Sequence, residues 1–161
     1  MWSNRPRSGI LYWIYIWLPV AVGVAIIALE STEMFGSDHT SNPLRHLFET
    51  IFGHVSDARW VDIHHYIRKS GHFLGYGFIG LAWLRAWWFT LPRSHFFPDA
   101  CLAVLGTALV ASCDEWHQTF LPNRTGTVSD VLLDCTGALI LELIVYLLVR
   151  MFRPEELQRE P

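Results

Sequence analysis

Long apolar stretches alternate with short polar ones along this chain, and the lengths of the apolar stretches set the first expectation. Residues 10–29 are apolar almost throughout, and about 20 residues of helix suffice to cross roughly 30 Å of hydrocarbon. Arg5 and Arg7 precede this stretch. It is longer than a signal-peptide core, contains Pro19 and lacks an A-x-A-like end, so it reads as a retained helix. Residues 70–89 form a second stretch, with Gly71, Gly75, Gly77 and Gly80 giving it a small-residue face on which another membrane helix can approach closely. Residues 99–117 and 128–152 form the third and fourth, separated by a turn through Leu121-Pro122-Asn123-Arg124-Thr125-Gly126. Residues 30–69 are a polar connection with local order of their own. Ser41-Asn42-Pro43 is a helix start, and Leu44, Leu47, Phe48, Ile51 and Phe52 recur at helical spacing up to Gly53. That pattern predicts a short amphipathic helix lying on the membrane surface, and a second short helix follows from Asp57 into Tyr66. The expected fold is an all-α polytopic membrane protein with four transmembrane helices plus a short amphipathic helix in the first outer loop. It forms one domain over residues 1–161, with its core in 10–152.

Composition sharpens this picture. Only 17% of residues are charged, against about 25% in an ordinary soluble domain, and the shortfall is concentrated in the apolar stretches. Trp2, Trp13, Trp17, Trp83, Trp87 and Trp88 stand near the ends of those stretches, where aromatic belts meet the lipid–water boundary. A net charge of −3 without an arginine-rich stripe gives no reason to expect nucleic acid as a partner. Cys101, Cys113 and Cys135 are isolated, which fits buried small apolar residues and neither a disulfide framework nor a zinc site. In a four-pass arrangement Arg5, Arg7, Arg85, Arg93, Arg150, Arg153 and Arg159 share one side, while Arg45, Arg59, Arg68, Lys69 and Arg124 share the other with acidic companions. The positive-inside rule then places both termini in the cytoplasm.

The chemistry is concentrated in residues 114–137. Asp114, Glu115, His117, Arg124, Asp130 and Asp134 lie within or between apolar stretches, and an ionisable group at such a place is costly unless something needs it. Helical spacing sorts the side chains into faces: Lys69, His72 and Tyr76 on one, Glu115 and Gln118 on another, Asp130, Asp134 and Gly137 on a third. In a four-pass chain all three faces reach the outer end of the bundle, with Arg124 and Lys69 as counter-charges. Two readings of this cluster stand open. One is a polar network that locks the helices in register. The other is a pocket in which Arg124 and Lys69 anchor an anionic group, with His72 or His117 and a carboxylate able to move protons. Asp114, Glu115 and His117 with Asp130 and Asp134 show no ordinary metal-site spacing, and His64-His65 beside Asp62 point to different helix faces. Neither metal nor cofactor is expected. Glu142, inside the fourth stretch, has no named partner.

These residues carry a resemblance. RKSGHFLGYGFIGL, residues 68–81, is similar to the Lys-x-x-His-Phe-x-x-Tyr signature of the VanZ-like family, bacterial integral membrane proteins named after a glycopeptide-resistance accessory protein. DEWHQTFLPNRTGTVSDVLLDCTGALI, residues 114–140, resembles that family's Asp-Glu-x-x-Gln…Arg…Asp-x-x-x-Asp/Asn-x-x-Gly signature. Lys69, His72, Tyr76, Glu115, Gln118, Arg124, Asp130, Asp134 and Gly137 match by position. Gly75 departs from it, standing where relatives often carry an acid, and Asn123 stands where a glycine is usual. The resemblance implies a multi-pass protein of the bacterial cytoplasmic membrane, linked in some members to reduced susceptibility to teicoplanin-type glycopeptides. With the residues themselves, it leads to an expected role in recognising an anionic cell-envelope component, a lipid headgroup or cell-wall precursor. Lys69, Tyr76, Gln118, Arg124, Asp130 and Asp134 would bind it. The alternatives are a membrane enzyme acting on a lipid-linked phosphate or sugar, with His72 and Glu115 as its catalytic pair, and a structural membrane scaffold.

Overall fold

A computed structural model describes residues 9–91, 95–122 and 124–154. Trp2, Arg5, Arg7, Arg93, Asn123 and Arg159, all singled out above, lie outside the described residues. The described chain folds into five α-helices: α1 Ile10–Glu30, α2 Ser37–Phe52, α3 Asp57–Thr90, α4 Phe96–Gln118 and α5 Val128–Phe152, with a 3₁₀ turn at Glu33–Phe35 between the first two.

The local chemistry explains their limits. In α5 the Thr127 side chain accepts a hydrogen bond from the Asp130 N–H, and Asp130 places a carboxylate in the first turn, where the helix dipole favours it. In α3, Ser56 precedes the helix and Asp57 opens it. At its other end Leu91 is extended (φ −78°, ψ 137°), the conformation favoured before a proline. Pro19 sits within α1 without ending it, as prolines do in membrane helices whose neighbours re-satisfy the freed carbonyl.

The transmembrane expectation needs correction. Three helices among the described residues are long and apolar enough to cross a membrane: α1, α4 and α5. The stretch around residues 70–89 is not a fourth. It belongs to α3, a single helix of 34 residues that also absorbs the separate helix expected from Asp57 to Tyr66. At 1.5 Å per residue it is about 50 Å long, well over the hydrocarbon thickness. Lys69, His72, Arg85 and its glycines lower its apolarity, and its position shows why that is tolerated. It packs against α1, α4 and α5, so protein, not lipid, covers much of its surface. The helix expected in the connection, beginning near Ser41, starts instead at Ser37 and takes Pro43 into its interior.

Packing is inside-out relative to a soluble domain. Ile10, Leu11, Ile14, Leu18, Val22 and Ile26 of α1 are exposed, as are Leu105 and Leu109 of α4 and Leu132, Leu139, Leu143 and Leu147 of α5. Asp99, Thr107, Asp114, Glu115, Gln118, Asp134 and Glu142 are buried. A surface this apolar around an interior this polar requires a lipid-like solvent. Between α1 and α3, Trp17 meets Trp83 and Trp87 edge to face, with ring centroids 5.7 and 5.1 Å apart, so these tryptophans pack helix against helix. The closest approach is that of α3 to α5. A Cβ at Gly137 would stand 2.1 Å from the Phe73 carbonyl oxygen, and one at Gly80 would stand 2.7 Å from the Ala138 Cβ. Cys101 and Cys113, expected to be buried, are exposed on the apolar exterior of α4.

Candidate functional site

The C-terminal ends of α1 and α4, the N-terminal end of α5 and the Lys69–Tyr76 portion of α3 meet at one end of the bundle. Ser31, just past α1, shares a 3.0 Å hydrogen bond with Nδ1 of His117 on α4. Between α4 and α5 the chain folds back tightly: a Cβ at Gly126 would stand 2.0 Å from the Glu115 carbonyl oxygen, so only glycine fits there. That turn delivers the Thr127 N–H to Oε2 of Glu115 at 2.8 Å.

Asp114 is the hub of the cluster. Its Oδ2 accepts from the Tyr76 hydroxyl at 2.9 Å and from Nε2 of Gln118 at 3.1 Å, while its Oδ1 has no hydrogen-bond partner among the described residues. The Gln118 bond follows from i, i+4 spacing on one helix, and the Tyr76 bond ties α3 to α4. On the other flank, Nδ1 of His72 stands 3.7 Å from Oδ1 of Asp134, a carboxylate with 0% exposure. Neither Asp134 oxygen has a hydrogen-bond partner among the described residues. The His72 ring stacks on that of Tyr76, 6.1 Å between centroids. Ile27, Glu30, Ser31, Gly71, His72, Gly75, Tyr76, Asp114 and Gln118 line a small cavity of about 20 Å³ with an open mouth. Gly71 and Gly75 leave open space where a side chain would otherwise stand.

The structure thus brings together His72, Tyr76, Glu115, Gln118 and Asp134 of the residues expected from the sequence. Of the two expected anchors, Lys69 meets an expected counter-charge and Arg124 does not. Lys69 forms an ion pair with Asp130. Arg124 donates from Nη2 to the backbone carbonyls of Glu30 at 2.9 Å and Thr32 at 3.1 Å, where a cation also meets the negative end of the α1 dipole. It forms no ion pair with Glu115, Asp130 or Asp134 among the described residues. Sequence reasoning left Asp114 outside its site set, although its i, i+4 relation to Gln118 was available. Glu30 and Ser31 gave no signal beyond being the first polar residues after an apolar run.

Away from the bundle, α2 is held to the start of α3 by a polar knot. Glu49 accepts from the Val55 N–H and from Arg45, and Arg45 also pairs with Asp57 at 2.8 Å. The Val55 N–H, then Arg45, hold the Glu49 carboxyl below its usual range. His64, buried against α2 with Thr40 at 3.2 Å, has its basicity lowered by burial and by nearby Arg68.

Helices with lipid-compatible exteriors, enclosing a polar cavity at one end, define a multi-pass all-helical membrane protein. The family model described as VanZ/LLP1 matches residues 10–150, and the chain belongs to that family. Neither a curated protein nor a solved structure matches it.

Proposed function

We propose that this protein recognises the polar headgroup of a cell-envelope component in the cavity among α1, α3 and α4. One observation carries the reading: a polar, carboxylate-bearing cavity opens within a bundle whose exterior is apolar. Its wall chemistry points to the kind of group. The carboxylates of Glu30 and Asp114 are hydrogen-bond acceptors, joined by the Gln118 amide, the Tyr76 hydroxyl and the His72 ring. They favour a group bearing N–H or O–H donors, an ammonium or a sugar hydroxyl. An anionic headgroup, expected from Lys69 and Arg124, would first have to draw those cations from Asp130 and from the α1 carbonyls. Where the component is a cell-wall lipid precursor, the same occupancy would link the protein to teicoplanin susceptibility.

A second reading is favoured by the His72–Asp134 pair: a membrane enzyme acting on a lipid-linked phosphate or sugar, in which His72 moves a proton and Asp134 orients its ring.

Native mass spectrometry of protein reconstituted in nanodiscs of phosphatidylethanolamine, of phosphatidylglycerol or of both tests the main reading. The amine-bearing lipid should be retained preferentially by wild type and lost on Gly75→Leu, which fills the cavity. Equal retention of the two lipids, or retention unaffected by Gly75→Leu, would overturn it.

A further inference from the structure

We propose that His72, Asp114 and Glu115 form a binding site for a divalent transition-metal ion, zinc or manganese. The site shares His72 and Asp114 with the headgroup cavity, so a bound ion and an ammonium would compete for Asp114; metal binding by lipid-free protein in detergent tests it apart from headgroup retention. One potential ligand atom from each of the three residues lies within 4.8 Å of the other two. Donors bound tetrahedrally to one ion at about 2.0–2.2 Å stand about 3.3–3.6 Å apart, so side-chain rotation that closes the separations by up to about 1.5 Å completes the set.

A second observation points to a ligand. Asp114 is 8% exposed and lines the cavity, and its Oδ1 has no hydrogen-bond partner among the described residues. Its Oδ2 is meanwhile fixed from behind by Tyr76 and Gln118. Glu115 is held by the Thr127 N–H, and Nδ1 of His72 faces Asp134 at 3.7 Å, short of a hydrogen bond. A metal-binding histidine gives its second ring N–H to a carboxylate, and Asp134 stands where a small closure of that 3.7 Å gap would let it accept from His72. Asp134 therefore acts as a positioning residue, not as a ligand.

Charge leads to the same site. Asp114, Glu115 and Asp134 surround one imidazole at the end of a membrane bundle, and the nearby Lys69 and Arg124 are engaged elsewhere. Carboxylates gathered in such surroundings require a counter-charge, which a dication supplies. One imidazole with two carboxylates is a harder set than the thiolate sites that favour copper(I). It is softer than the all-oxygen cages of calcium and magnesium.

The test is isothermal titration of EDTA-stripped full-length protein in detergent with zinc chloride or manganese chloride alone, with the metal retained after desalting measured by elemental analysis. Wild type should bind one equivalent. Asp134→Asn should keep that stoichiometry and weaken binding roughly 10- to 100-fold, as loss of an outer partner does. His72→Asn, Asp114→Asn and Glu115→Gln should each weaken it further, and Glu142→Gln, at a buried acid elsewhere on α5, should leave it unchanged. Cobalt(II)-loaded wild type gives a readout that needs no variant: visible ligand-field bands without sulfur charge-transfer absorption, which sets aside the three cysteines. Substoichiometric binding by wild type, a sulfur-ligated cobalt spectrum, or equal losses from Glu142→Gln and Asp114→Asn would overturn the proposal.

Discussion

At the scale of single residues, the polar end of the bundle is organised by how each charge is satisfied. Asp114 shares two donors on one oxygen, and hydrogen bonds to a charged group contribute about 1.5–3 kcal/mol each. Tyr76→Phe should therefore destabilise the protein by about that amount, read as a lower thermal midpoint in a fixed detergent. A midpoint unchanged from wild type would remove Asp114 from the centre of the network. Arg124 makes a different case. Its spacing from Glu115 and Asp130 suggested an ion pair, yet its guanidinium closes the end of α1 through two carbonyls. Arg124→Ala should lower the midpoint and speed amide exchange at the Glu30–Thr32 corner. Arg124→Lys, with one ammonium in place of a planar fork, should restore only part of the loss. If both variants melt as wild type does, the contact is incidental.

At the scale of elements, two glycines, one from each signature region, have opposite duties. Gly137 lets α5 touch the α3 backbone at Phe73, whereas Gly75 faces open space. Gly137→Ala should force the helices apart and cost about 1–3 kcal/mol, as overpacking does. Gly75→Ala should be neutral or gain up to about 1 kcal/mol from helix propensity. Thermal unfolding of the pair in one detergent separates them, and similar costs for both would contradict the close approach. The α2–α3 corner offers a pH test. Hydrogen bonds and Arg45 depress the carboxyl of Glu49 in the folded state, so the unfolded state binds the proton more readily. The stabilisation is then fully present above the ordinary carboxylate pKa, near 4.3, and is lost as pH falls through the depressed value. Protection of the Val55 amide from exchange should fade over that acidic window in wild type. It should be lower and flat with pH in Glu49→Gln.

At the scale of the whole molecule, the apolar exterior makes lipid the required solvent. Cys101 and Cys113 on that exterior report on it. In sealed vesicles a charged maleimide should leave both thiols unmodified, and unfolding in strong denaturant should release both, as seen by intact mass. Labelling of Cys101 and Cys113 in intact vesicles would place α4 in water.

Much of this was legible in the chain because it depends on spacing along one helix. The bounds of α1 and α5, the i, i+4 pair of Asp130 with Asp134, and the face shared by Lys69, His72 and Tyr76 all follow from 3.6 residues per turn and from runs long enough to cross hydrocarbon. Tertiary structure decided whatever depends on a neighbour. It merged residues 57–90 into one helix, because α1, α4 and α5 cover a segment too polar to face lipid alone. It sent Arg124 to the α1 carbonyls, chose Asp130 among the carboxylates open to Lys69, and brought Asp114 under the Tyr76 hydroxyl. Which donor meets which acceptor depends on the distance between helices, and a periodic pattern along one helix carries no record of that distance.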